Sequence, residues 1–242
     1  MSESEPVEIK LTIDAEVDDA VGELCRGSAR SGRLVYFVED ITPGIKPALP
    51  LFEAGLILRL RGNPGEKSDS TVKLRPCRRS QLSQAWAHAW KRGDVRFRIE
   101  QDWSTQNRSL AASCTAKSSS WTISDLVDDT GRLKEAFEEP QLACLAECTN
   151  LRLYFDGLTA LGPIAATTWE ETRIDGAVAE RWTVGSQDFL ELSIRCEDPA
   201  AAPEQQAAFE RSVRELVEPA SSGESKTRRV LTYLADHAAA VR

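Results

Sequence analysis

Twelve charged side chains alternate with apolar ones in five short segments of this 242-residue chain. Eight are bases (Lys10, Arg59, Arg61, Lys73, Arg75, Arg96, Arg98 and Arg195) and four are acids (Glu8, Glu100, Asp102 and Glu191). A guanidinium offers paired N–H donors that match the oxygens of a phosphate. Carboxylates supply the hard oxygen ligands that Mg2+ and Mn2+ prefer. Rows of bases on neighbouring elements repel one another unless carboxylates or a bound anion compensate. The residue types and their spacing therefore suit a small polyphosphate together with a divalent cation. Taken singly, each segment has a simpler reading, a polar sheet face turned to water.

The elements that must position these groups follow from the same alternation. In 7–13, Val7, Ile9, Leu11 and Ile13 share one side while Glu8, Lys10 and Thr12 share the other, the period of a strand with two unlike faces. Segments 56–61, 71–75, 95–103 and 189–195 repeat the pattern, and 33–39, 151–155, 168–174 and 178–184 are weaker strand candidates. Helices are expected from Ser80 to Lys91, over 132–147 with an interruption at Pro140, over 203–218, and over 225–241. Segments 62–70, 104–120 and 219–225 read as loops. Strands and helices do not alternate regularly, which disfavours a doubly wound parallel sheet. The expected fold class is α+β, a largely antiparallel sheet closed into a barrel with peripheral helices. It forms one domain over 1–242, with a helical insert at about 104–150 and C-terminal helices at about 203–242.

The formal net charge is −8. The twelve residues above sum to +4, so the remainder of the chain carries −12. An acidic chain with a locally basic face suits a small polyanion and disfavours nucleic acid and anionic membranes. The acidic opening is unlike a targeting peptide, and no run approaches the roughly 20 apolar residues of a membrane span, so a cytoplasmic protein is expected. Six scattered cysteines carry no disulfide pattern for that compartment. Cys144 and Cys148 fit one helix face but lack a second ligand pair, and His88 and His237 have no evident nucleophile. Trp86 and Trp90 read as packing residues.

Val7-Glu8-Ile9-Lys10-Leu11 resembles the opening strand of the CYTH superfamily, whose signature there is Glu-x-Glu-x-Lys. The run from Leu51 to Arg61, with Gly55-Leu56-Ile57-Leu58-Arg59-Leu60-Arg61, resembles its Leu-Arg-x-Arg strand. Thr71-Val72-Lys73, Arg98-Ile99-Glu100-Gln101-Asp102, the strand around Glu191, and Ser225-Lys226 resemble later motifs in the same order. The superfamily includes class IV adenylyl cyclases, thiamine triphosphatases and inorganic triphosphatases. The resemblance implies a tunnel-like barrel in which Lys10, Arg59, Arg61, Lys73, Arg75, Arg98 and Lys226 bind a triphosphate. It further implies that Glu8, Glu100, Asp102 and Glu191 hold Mg2+ or Mn2+, with Glu100 and Asp102 as the catalytic carboxylates. The expected partner is a small phosphorylated substrate, and whether the chain forms a homodimer is left open.

The chain departs from the pattern at Pro6, which replaces the first Glu, and at Ser193, where a second late carboxylate often stands. Three functional readings follow. The first is a metal-dependent triphosphatase. The second is a catalytically impaired module that binds polyphosphate without hydrolysis. The third is an amphipathic sheet for protein contacts.

Overall fold

A computed structural model of the chain describes residues 5–42, 48–220 and 224–240. In chain order the elements are β1 (Val7–Ile13), α1 (Val17–Leu24), β2 (Cys25–Arg26), β3 (Arg30–Glu39), α2 (Pro50–Glu53), β4 (Leu56–Gly62), β5 (Ser68–Cys77), β6 (Trp90–Arg92), β7 (Val95–Trp103) and β8 (Arg108–Ser118). There follow α3 (Ile123–Asp128), α4 (Glu139–Cys148), β9 (Thr159–Trp169), β10 (Glu171–Thr172), β11 (Val178–Val184), β12 (Gln187–Cys196), α5 (Ala202–Arg214) and α6 (Lys226–Ala240). The main sheet runs β1-β12-β11-β9-β3-β4-β5-β8-β7, and β7 pairs back to β1. The fold is thus a closed, nine-stranded, mostly antiparallel barrel with peripheral helices, as the alternating segments led us to expect. The short strand β6 adds to β7, and β2 and β10 form a separate pair.

The chain forms two compact units. The first comprises Met1–Gly32, Glu100–Ser109 and Ile164–Lys226. Its core takes the apolar side of β1, with Val7, Ile9, Leu11 and Ile13 at 0–2% exposure, and the matching side of β12, Leu190 and Leu192. Leu24 of α1 and Phe209 and Val213 of α5 complete it. The β11–β12 hairpin turns at Gly185–Ser186, with Gly185 at a φ of 53°. A two-residue turn with a left-handed residue fixes the pairing register. Arg181 fastens α1 to this hairpin, with Nη1 2.8 Å from Asp18 Oδ1 and Nε 2.9 Å from Asp188 Oδ1.

The second unit comprises Arg33–Ile99, Leu110–Pro163 and Thr227–Arg242. Its core joins Leu56, Leu58 and Leu60 of β4 and Val72 and Leu74 of β5 to Leu126 of α3 and Cys144, Leu145 and Cys148 of α4. Gln141 of α4 is fully buried and fastens the helix to the strands beneath it. Its Nε2 donates to the carbonyls of Ser70 and Cys114 at 3.0 Å each, and its Oε1 accepts from Ser70 Oγ at 3.0 Å. Gln141→Leu keeps the volume but strands these polar groups, so it should cost about 2–3 kcal/mol, read as a lower midpoint in chemical denaturation.

Several expected elements come out differently. The segment from Ser80 to Lys91 is not a helix. It forms two 3-10 turns, Arg79–Gln81 and Gln84–Trp86, and then β6. The reason is aromatic: Trp86 packs on Phe97 at 5.0 Å and Trp90 on Phe97 at 6.0 Å, with Trp90 directly opposite Phe97 in the β6–β7 pair. The packing role of the two tryptophans stands, while the helical spacing was incidental. The segment 104–120 is not a loop, and the expected insert at 104–150 opens with the eleven-residue strand β8. Its buried side is Ala112, Cys114 and Ala116, small residues that hide the alternation. Segment 132–147 divides into a 3-10 helix, Thr130–Ala136, and α4, whose first turn holds Pro140. Segment 151–155 is not a strand, and α1 was not anticipated. The predicted loop 219–225 falls partly on 221–223, outside the described residues.

Candidate functional site

In the first unit the side of β1 opposite its buried apolar residues carries Glu8, Lys10 and Thr12, all partly exposed. The register sets the neighbours. Glu8 lies opposite Arg195 of β12 and opposite Asp102 of β7, Lys10 opposite Ser193, and Thr12 opposite Glu191. Glu191 in turn lies opposite Glu180 of β11. Two pairs of carboxylates, Glu8 with Asp102 and Glu180 with Glu191, therefore face one another across strand seams. Like charges directly opposite destabilise a sheet unless something neutralises them.

A lysine answers each pair. Lys10 Nζ lies 2.7 Å from Glu8 Oε2 and 3.2 Å from Asp102 Oδ2. Lys226 Nζ lies 3.2 Å from Glu191 Oε1 and 3.4 Å from Glu180 Oε2, and 3.9 Å from the centre of the Trp182 ring. The two sites differ in enclosure: the Lys226 side chain is 4% exposed and that of Lys10 is 15%. Glu100, buried like Asp102 at 8% exposure, has Arg195 Nη1 3.6 Å from its Oε2. Lys226→Met leaves two opposed carboxylates without their shared cation and should lower stability by about 2–4 kcal/mol. Thermal unfolding of the variant checks this, and a melt equal to wild type would show that the ion pairs contribute nothing.

In the second unit the corresponding face is basic. Arg59 and Arg61 of β4 and Lys73 and Arg75 of β5 are half-buried on the side away from the leucines. The register puts Arg59 opposite Thr71, Arg61 opposite Asp69, and Lys73 opposite Ser113 of β8. Arg59 Nη2 lies 3.4 Å from Thr71 Oγ1, which shares a hydrogen bond with Thr115 Oγ1 at 3.1 Å. Arg61 Nε donates to both oxygens of Asp69, at 2.8 and 3.1 Å. Arg75 Nη2 reaches Thr227 Oγ1 at 3.4 Å. Arg98 is exposed on β7. At the end of β3, Glu39 accepts the backbone N–H groups of Leu51 and Phe52 at 2.9 Å each. Burial pushes its carboxyl above the usual range, against the pull of those N–H donors.

Of the residues anticipated from sequence, Glu8, Lys10, Glu100 and Asp102 come together at the β1–β7 seam and its β12 neighbour. Lys226 and Glu191 meet each other. Arg59, Arg61, Lys73 and Arg75 share one face of β4 and β5. Lys10 and Lys226, both expected to bind a triphosphate, each contact carboxylates. Asp69, Trp182 and Glu39 were not anticipated as site members, and Glu180 was readable from sequence as a charge that could face the site but not as the partner of Glu191. Glu180 and Trp182 stand in the alternation of 178–184, but only the hairpin register reveals what they face.

A divalent cation would find suitable donors here. Glu8, Glu100, Asp102 and Glu191 are hard oxygen ligands, and the Lys10 ammonium already occupies the space between two of them. Among the described residues no three His, Cys, Asp or Glu side chains are gathered closely enough to hold an ion as they stand. This includes Cys144 and Cys148, which are buried in the second unit's core.

No family model and no curated sequence matches the chain. Its fold is nevertheless shared. HpAC1 from Hippeastrum, assigned as an adenylyl cyclase and described as having a dominant triphosphatase activity, superposes with a TM-score of 0.57 at 13% identity, covering 95% of this chain and 96% of that one. A protein from Bacillus halodurans assigned as an adenylate cyclase superposes with a TM-score of 0.52 at 12% identity, over 95% of this chain and 98% of that one. At such identities the likeness is one of fold, and it agrees with the barrel implied by the CYTH-like motifs. Among the described residues no helix is long and apolar enough to cross a membrane.

Proposed function

We propose that the chain is a triphosphatase-like phosphohydrolase acting on inorganic or organic triphosphate with Mg2+ or Mn2+. The observation that carries this reading is the division of charge between strand faces. The face of β4 and β5 is basic and half-buried, and that of β1, β7, β11 and β12 bears five carboxylates partnered by lysine and arginine. A fold shared with a protein described as a triphosphatase supports it.

Each of the chain's own groups has a task in this reaction. Arg59, Lys73 and Arg75 hold the phosphate oxygens and fix their orientation. Their positive charge also offsets the negative charge that shifts to the leaving oxygens as water adds to phosphorus and the P–O bond breaks. Of the four acids, Glu8, Glu100 and Asp102 share the β1–β7 seam and would hold a cation there, whereas Glu191 stands apart beside Lys226. A bound divalent ion supplies Lewis-acid polarisation of the phosphoryl oxygens. Half-burial of the basic face lowers the effective dielectric and strengthens each contact.

A second reading has its own support. Pro6 stands where the family motif has its first acid, and Lys10 is lodged between two of the carboxylates a metal would need. A chain of this kind could retain phosphate binding without turnover. Phosphate release from tripolyphosphate, ATP and thiamine triphosphate, with and without Mg2+ or Mn2+, separates the two. Hydrolysis of at least one compound is expected; binding without hydrolysis would leave the second reading standing.

A further inference from the structure

The two lysines held between carboxylates differ in a way that separates a structural cation from an exchangeable one. Lys226 is enclosed, at 4% side-chain exposure, with its ammonium against the Trp182 ring. Lys10 lies at the more open seam, where its Glu8 partner is 30% exposed, and its flexible stem comes from the same strand as that partner. A lysine ammonium is a compact point charge on four rotatable carbons, well suited to moving between anionic partners.

We propose that Lys10 is a resident counter-cation that exchanges with a divalent metal. Without ligand its ammonium neutralises Glu8 and Asp102 and holds those oxygens away from a metal. When a metal takes the two carboxylates, Lys10 is released from them. The register supports this. Glu8 and Asp102 are directly opposite across the β1–β7 pair, and like charges so placed destabilise a sheet unless a cation neutralises them. The inference rests on the metal-dependent reading above and adds to it a role for Lys10 before substrate arrives.

Mn2+ binding followed by electron paramagnetic resonance, in phosphate-free buffer, tests it without any turnover. Lys10→Met removes the competing charge at nearly constant length, and it should bind Mn2+ at least about tenfold more tightly than wild type, a shift of about 1.4 kcal/mol. Lys10→Arg keeps the charge and should bind as weakly as wild type. If Lys10→Met fails to fold, Lys10→Gln carries the same expectation. Equal or weaker binding by the neutral variants would overturn the exchange while leaving the metal-dependent reading intact. Absence of Mn2+ binding by every protein would overturn both.

Discussion

Arg59→Ala combined with Lys73→Ala should weaken tripolyphosphate binding by about a hundredfold or more. Each residue offers a charge-assisted contact of about 1.5–3 kcal/mol, and two such contacts exceed the 2.8 kcal/mol that a hundredfold change represents. The sheet should survive, because the opposite side of the same strands, with Leu58, Leu60, Val72 and Leu74 at 0–3% exposure, holds the core. Arg61 is a less clean target. Its Nε is bound to both oxygens of Asp69, itself 3% exposed, so Arg61→Ala would also leave a buried carboxylate without its partner. Isothermal titration with tripolyphosphate reads the double variant, and circular dichroism confirms its fold. If affinity is unchanged, the basic face serves only solubility or a protein contact.

The second large effect concerns the buried carboxylates. Asp102→Asn and Glu100→Gln preserve shape while removing charge at the two acids that are 8% exposed. Each should lower kcat by about 100- to 1,000-fold, the scale seen when one group that organises transition-state charge is removed. KM for triphosphate should change little, because the basic residues that bind it are untouched; a fall in kcat alone marks an interaction made in the transition state. A rise in KM with kcat preserved would move these carboxylates out of the reacting centre and into substrate binding.

The barrel was legible in the sequence because charge and burial are locked to a period of two. In β1, in β4 from Leu56 to Leu60 and in the 72–74 stretch of β5, every second residue is aliphatic and buried, and a strand with one covered face satisfies that pattern. Strand β8 was hidden because its buried side is built from Ala and Cys, which add little hydrophobic contrast to Ser, Thr and Lys on the other side. The helix expected after Ser80 failed for another reason: Trp86 and Trp90 do sit four apart, but they answer to Phe97 across a strand pair and not to a helix face. At the site, residue types were visible and partners were not. Sequence marked Lys10 and Lys226 as phosphate ligands but not the opposed carboxylates that registers set by the β11–β12 turn and the β1–β7 seam put beside them. Glu180 shows the gap most plainly. Its alternation was readable, but its position opposite Glu191 depends on a hairpin register that one strand alone cannot reveal.

Both functional readings require that a triphosphate bind to the charged strand faces. Isothermal titration of the wild-type chain with tripolyphosphate, alongside sulfate at equal ionic strength, tests that requirement most directly. The account predicts saturable binding of tripolyphosphate that weakens as salt is raised, with no comparable binding of sulfate. A flat titration of folded protein, with or without Mg2+, would contradict it.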